Sequence, residues 1–345
     1  MLSGKNTLAC DSRWTRAMRS SFALGVMAML VFGCGDDAAA PAGTEDAATD
    51  GAGGAGTDAG TDAGASRAGN AGRPAGVATC YSALADAHPA TTAFWAAFLG
   101  GKLEDRADAI AGLEAAGQEY PDEEEFALLA GLANLWRVAE PLPDQVDDLP
   151  GMITGALNSR TQLERAYELC PTDHRIPAWL GPVLVRTGEA TGNQAAIDEG
   201  LEVLQQGIDH YAEFVLFSKM LIYADRPKDD ADFQKALDAI LENLDICPPD
   251  SPACTNQPLA AHNFEGASVF FGDVLAKAGM QSEARATYTM AMDVPEYAAW
   301  DYQSVLAERL DTLDARVKAF DTTDAKDDPE SVWSADFQCS ICHRK

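Results

Sequence analysis

Positive charge is scarce in this chain. Its 345 residues carry 25 Lys plus Arg against 54 Asp plus Glu, a formal net charge of −29. A surface of that sign repels phosphate backbones, which excludes nucleic acid as a partner. Catalytic signatures are missing too: there is no Gly-rich phosphate loop, no nucleophile-elbow pattern and no His-Glu-x-x-His. Paired acids are abundant but carry little information in so acidic a chain, and the protein is not read as an enzyme. Runs of β-branched residues are few, which argues against sheets. The most apolar stretch, uncharged from Ser20 to Gly33, is too short for a comfortable bilayer crossing.

That stretch instead has the form of a signal peptide. Lys5, Arg13, Arg16 and Arg19 precede an apolar centre at Phe22–Phe32, and the run ends in Val31-Phe32-Gly33-Cys34. The ending resembles a bacterial lipobox, with an aliphatic residue at −3, a small one at −1 and then the cysteine that receives the lipid; Phe32 departs from the usual small residue at −2. The resemblance implies cleavage after residue 33, lipidation of Cys34 and a membrane attachment through acyl chains. An uncleaved anchor and a plain secretory signal are the alternatives. Cleavage removes four basic residues and one acid, Asp11, leaving 21 basic and 53 acidic side chains, net −32. Gly35 rather than Asp follows Cys34, which leans toward the periplasmic face of the outer membrane within the cell envelope.

Residues 34–79 comprise the lipidation cysteine and a Gly/Ala/Asp/Thr tract with the tandem Gly56-Thr57-Asp58-Ala59 and Gly60-Thr61-Asp62-Ala63. This composition cannot bury enough apolar surface to offset chain entropy, so the segment reads as a disordered linker. From 80 to 320 the pattern changes to apolar residues at three- and four-residue spacing, as at Ile197, Leu201, Leu204 and Ile208. This is an all-α region. Acidic patches at Asp122–Glu125, Asp147-Asp148 and Asp229-Asp230 suit solvated helix starts or inserted loops.

An internal repeat runs through the region. A small residue, a bulky one four later, a small one three later and a proline five later occur at Ala109, Leu113, Ala116, Pro121 and again at Ser159, Leu163, Ala166, Pro171. Looser copies are Ala236, Ile240, Asn243, Pro248 and Ala284, Tyr288, Ala291, Pro295. Small residues let helices approach, the bulky one fills the space between them, and the proline stops the helix. The pattern resembles the second helix of a tetratricopeptide repeat. Matching first helices are suggested by Phe271-Gly272, Leu275 and Gly279, by Trp179-Leu180-Gly181, Leu184 and Gly188, and by Phe126, Leu129 and Ala130. The resemblance implies an irregular, tetratricopeptide-like solenoid whose concave face binds protein partners.

Eight cysteines remain to be placed. Cys10 falls in the removed segment and Cys34 takes the lipid. The short turn-rich circuit Cys247-Pro-Pro-Asp-Ser-Pro-Ala-Cys254 suits a local disulfide, which leaves Cys80 and Cys170 as the other structural pairing. Cys339 and Cys342 stand in Cys339-Ser340-Ile341-Cys342-His343, within the 321–345 tail. This resembles the c-type haem attachment motif: two thiols three apart reach the two vinyl groups of one porphyrin, and His343 follows as axial ligand of the iron. The resemblance implies one covalent haem c and electron transfer. Cytochrome c domains have most of their haem-wrapping helices after the motif, whereas here only Arg344 and Lys345 follow, so a haem would lie against Trp333, Phe337 or the helical region, or stay exposed. His88, His174, His210, His262 or a methionine would be the sixth ligand. A Cys339–Cys342 disulfide or redox pair and a metal site are the other readings of the motif. The functional expectation is therefore a lipid-anchored helical-repeat interaction scaffold carrying a haem. A haem-free assembly scaffold with a terminal disulfide, or a solute-binding helical lipoprotein, is the alternative.

Overall fold

The computed structural model describes residues 80, 82–142, 148–247, 263–321, 328–335 and 337–343. Residues 1–79, with the signal segment, Cys34 and the linker, lie outside the described residues, as do Asp147, Cys254 and His262. Twelve α-helices and no strand occur among the described residues. They are α1 (Ala83–Ala87), α2 (Pro89–Leu99), α3 (Arg106–Glu119), α4 (Glu124–Ala139), α5 (Leu149–Leu169), α6 (Ile176–Thr191), α7 (Gln194–Tyr223), α8 (Ala231–Ile246), α9 (Phe264–Lys277), α10 (Gln281–Met290), α11 (Gln303–Ala319) and α12 (Ser340–His343). None of the described helices is long and apolar enough to cross a membrane.

From α2 to α8 each helix packs mainly on its neighbours in the chain, and α9 packs on α10. The residues of the repeated pattern are the ones buried at these contacts: Ala109, Leu113 and Ala116 on α3, Ser159, Leu163 and Ala166 on α5, Ala236, Ile240 and Asn243 on α8, and Ala284 and Tyr288 on α10. Burying one such leucine contributes roughly 1.5–3 kcal/mol. Glycines on the preceding helix make room for the bulky member. A methyl group on Gly131 would sit 2.7 Å from Leu163 Cγ, and one on Gly272 would sit 2.7 Å from Tyr288 Cζ. The stops act as expected, with α3, α5 and α8 ending at Glu119, Leu169 and Ile246, two residues before Pro121, Pro171 and Pro248.

Two features differ from the sequence pattern. A further copy sits on α7, where Gly200, Leu204 and Gly207 are buried. It lies 41 residues after Ser159 and 36 before Ala236, and the proline position holds Ala212. Without a proline the helix bends instead of stopping: Tyr211 takes φ −150° and ψ 59°, and the chain continues helically to Tyr223. Secondly, Gly188, which stands seven residues after Gly181 as Gly279 does after Gly272, lies within its helix rather than at a turn. Helix α6 runs one turn further and ends at Gly192 in the left-handed region, φ 65°, while Gly188 is buried with its backbone against Ile197. Gly279 does occupy the α9–α10 turn, φ 80°.

Asp148 and Asp230 cap α5 and α8, accepting from Gly151 N at 3.0 Å and Asp232 N at 2.8 Å. Glu124 and Glu125 open α4 but are buried rather than solvated, which corrects the reading of that acidic patch. Cys80 and Cys170 form a disulfide with Cα atoms 5.8 Å apart. Cys247 is disulfide-bonded; its expected partner Cys254 lies outside the described residues.

The segment after α11 folds back onto the helices. Asp273, fully buried on α9, accepts from Tyr288 Oη at 2.6 Å and from the Val332 amide at 2.9 Å, and pairs with Arg309 Nε and Arg316 Nη2 at 3.1 Å each. Arg316 Nη2 also donates to the Glu330 carbonyl at 2.7 Å. This hub directs the chain so that α12 packs on α9 and on α2, joining a late helix to an early one.

Candidate functional site

The tail is held at both edges of the motif. Glu140, which caps the end of α4 and is 2% exposed, accepts the Cys339 amide at 2.7 Å and the Ser340 amide at 2.8 Å on Oε1. Its Oε2 accepts Ser340 Oγ at 2.8 Å and Trp136 Nε1 at 3.0 Å. Arg106, equally buried on α3, donates to the Trp136 and Glu140 carbonyls and lies over the Trp136 ring at 5.3 Å. At the other edge the Cys342 carbonyl accepts the Asn263 amide at 2.6 Å and the Ile341 carbonyl accepts Trp300 Nε1 at 3.1 Å. Gly266 allows this approach: a methyl there would meet the Ile341 carbonyl carbon at 2.6 Å and Cys342 Cα at 2.7 Å.

Held this way, Cys339, Cys342 and His343 line one cavity of about 190 Å³, open at its mouth. Its walls come from α2, α4, α5, α6, the part of α7 beyond the kink, α9 and the tail. Four of the chain's 6 tryptophans, Trp95, Trp136, Trp179 and Trp333, face it with Phe98, Phe217 and Phe270. Arg186 is the one lining residue with a permanent charge, held by Asp225 at 2.7 Å and Glu189 at 3.2 Å. Met152, on the first turn of α5, supplies the one thioether. The His343 imidazole is buried and lies 4.5 Å from the Phe98 ring, which in turn stands 5.0 Å from Trp136.

Both motif thiols are free. Burial pushes the Cys339 thiol well up, with Glu140 and then Cys342 adding to it, and burial followed by Glu140 raises Cys342. Reactive Cys-x-x-Cys pairs rely on the opposite shift, toward thiolate, so the environment disfavours thiol–disulfide exchange. Among the described residues the one group of three or more His, Cys, Asp or Glu side chains whose ligand atoms converge is Glu124, Glu125 and Asp173. The motif residues therefore do not meet at a single ion position, whereas thioether attachment and axial ligation use separate points of a larger group.

Of the expected sixth ligands, His88 packs against Tyr120 and Phe126, and His174 stacks on His210 at 4.4 Å; none of the three lines the cavity. Trp333 does line it, while Phe337 packs against Tyr302 elsewhere. Glu140, Met152 and Arg186 belong to no motif, and local sequence offered no signal for them. No protein-family model, curated protein or solved structure matches the chain.

Proposed function

We propose that the cavity holds one covalent c-type haem and that the protein is an exported, lipid-anchored, tetratricopeptide-like helical protein that passes electrons to or from protein partners. The observation carrying this reading is that all three residues of the Cys-x-x-Cys-His motif open onto one aromatic, nearly uncharged cavity. Bound haem supplies one-electron chemistry. The chain's residues would hold it: Cys339 and Cys342 through thioether links, His343 and Met152 as iron donors, and Arg186 as a cation for its carboxylates. The aromatic walls exclude water, which favours the less charged form of a redox centre and raises its potential. Because the inner helix faces enclose the cavity and the tail, we place the protein partner at the cavity mouth. The acidic outer surface steers a basic partner toward it.

The same lining favours a second reading, an apolar solute whose anionic end meets Arg186. One experiment separates them. The full chain is produced in a periplasm with haem-attachment machinery, and its visible spectrum and intact mass are recorded. A Soret band and one haem mass, both lost in C339A/C342A, are expected. Absence of both, with an extracted apolar compound in native mass spectra, would replace the haem reading with the solute one. In the loaded protein, M152A should open the iron to carbon monoxide, seen as a shifted Soret band.

A further inference from the structure

A second buried polar site lies away from the cavity, where the start of α4 meets the turn between α5 and α6. Glu124, Glu125 and Asp173 are 2%, 1% and 0% exposed, and one ligand oxygen from each lies within 4.8 Å of the others. The cation facing them is Arg175, 4% exposed. Its Nη2 bonds Glu125 Oε2 at 2.9 Å, and its Nε bonds both Asp173 oxygens at 2.9 Å. Those bonds leave Glu124 Oε1 and Glu125 Oε1 buried with no hydrogen-bond partner. With all three carboxylates ionised, one guanidinium leaves an excess of two negative charges, and burial followed by Glu125 and Asp173 pushes the Glu124 carboxyl up to about 7. Burying uncompensated charge of that size is prohibitive unless something neutralises it.

We propose that Glu124, Glu125 and Asp173 bind one calcium ion. Charge and geometry agree. One divalent cation balances the excess, and two oxygens bound to the same calcium, each at about 2.4 Å, can stand up to about 4.8 Å apart. Calcium accepts irregular, carboxylate-rich oxygen sets, whereas magnesium demands near-octahedral geometry and retains several waters, for which a site this buried is unsuited. The ion ties the first turn of α4 to the α5–α6 turn, three residues from the Cys80–Cys170 disulfide. It would brace the wall from which α4 presents Trp136 and Glu140.

The test uses the full chain stripped with EGTA, in about 0.1 M salt to screen exposed acids. Calcium binding is measured by equilibrium dialysis and thermal unfolding is followed with and without 1 mM Ca²⁺. Wild type should bind one ion more than E124Q and melt several degrees higher with calcium than with EGTA, and E124Q should show no such shift. Glu124 makes no bond to Arg175 among those above, so E124Q tests the site without breaking the clamp; E125Q should give the same loss. Equal calcium stoichiometry in wild type and E124Q would overturn the proposal. So would a wild type indifferent to calcium beside an E124Q that is more stable at every calcium level, because a proton would then be the neutralising group. Haem content plays no part in the readout, so this proposal and the reading of the cavity fail independently.

Discussion

Glu140 gives the sharpest test of how the motif is held. The carboxylate receives three N–H donors and one hydroxyl: the Cys339 and Ser340 amides, Trp136 Nε1 and Ser340 Oγ. In Glu140→Gln the carbonyl oxygen must stay at the Oε1 position to serve both amides. The new NH₂ then faces the Trp136 indole, which can only donate; the Ser340 hydroxyl can rotate to accept, but the indole cannot. One stranded buried donor costs about 1–3 kcal/mol. Glu140→Ala removes every side-chain acceptor and strands three buried N–H donors, while the carbonyls that Arg106 bonds stay in place, so the cost exceeds that of one stranded donor, about 1–3 kcal/mol. At about 1.4 kcal/mol per tenfold, the glutamine variant should open the tail about 5- to 150-fold more often. Native-state hydrogen exchange at the Cys339 and Ser340 amides reads that opening directly. The α3–α5 core amides, such as that of Leu163, serve as the internal control. If exchange at Cys339 and Ser340 in E140A stays within twofold of wild type, Glu140 does not hold the tail and the account of the site is wrong.

Three further outcomes are expected. Gly266→Ala drives a methyl into tail backbone that cannot rotate away, so tail amides should exchange faster at a cost of about 1–3 kcal/mol, with core amides little changed. In haem-free protein, the raised thiol pKa values of Cys339 and Cys342 mean the native state keeps protons that the unfolded chain releases above about pH 8.5. Their contribution is then complete below that pH and is lost as pH rises, so the urea midpoint of wild type should fall more between pH 7.5 and 10 than that of C339A/C342A, these pH values being chosen to lie about one unit or more either side of the reference thiol. Cys170→Ser opens a link spanning 90 residues and should lower unfolding free energy by about 4–5 kcal/mol on the chain-entropy account; a change under about 1 kcal/mol would contradict it.

The helices were legible because their signals are local. The small–bulky–small spacing and its terminating prolines name buried residues on α3, α5, α8 and α10, whereas the copy on α7 carries no such signature, because glycines take the small positions and no proline follows. The chemical half of the site was legible for the same reason: Cys339, Cys342 and His343 fall within five residues. Its enclosure was not. Trp95, Trp136, Trp179 and Trp333 come from four segments, and Glu140 meets Cys339 across 199 positions. Only the packing order of the helices brings such residues together, and no spacing rule encodes it.

The chain's acidity takes on a different meaning once the buried acids are compared. Among the described residues most of the acids face solvent, and just one lining residue with a permanent charge, Arg186, stands on the cavity wall. Where carboxylates do enter the fold, their surroundings differ. Asp273 has two arginines, a tyrosine hydroxyl and a backbone amide; Glu140 has four donors and a buried arginine behind its helix end. Each of these is satisfied by groups the chain itself supplies, and each positions the tail. Arg175 pairs with Glu125 and Asp173, and Glu124 Oε1 and Glu125 Oε1 keep no donor. Asp273 and Glu140 are fully satisfied, whereas in the third cluster burial followed by Glu125 and Asp173 pushes the Glu124 carboxyl up to about 7. That contrast within one molecule, more than the carboxylate cluster alone, is the reason to look for the missing charge in a bound divalent ion.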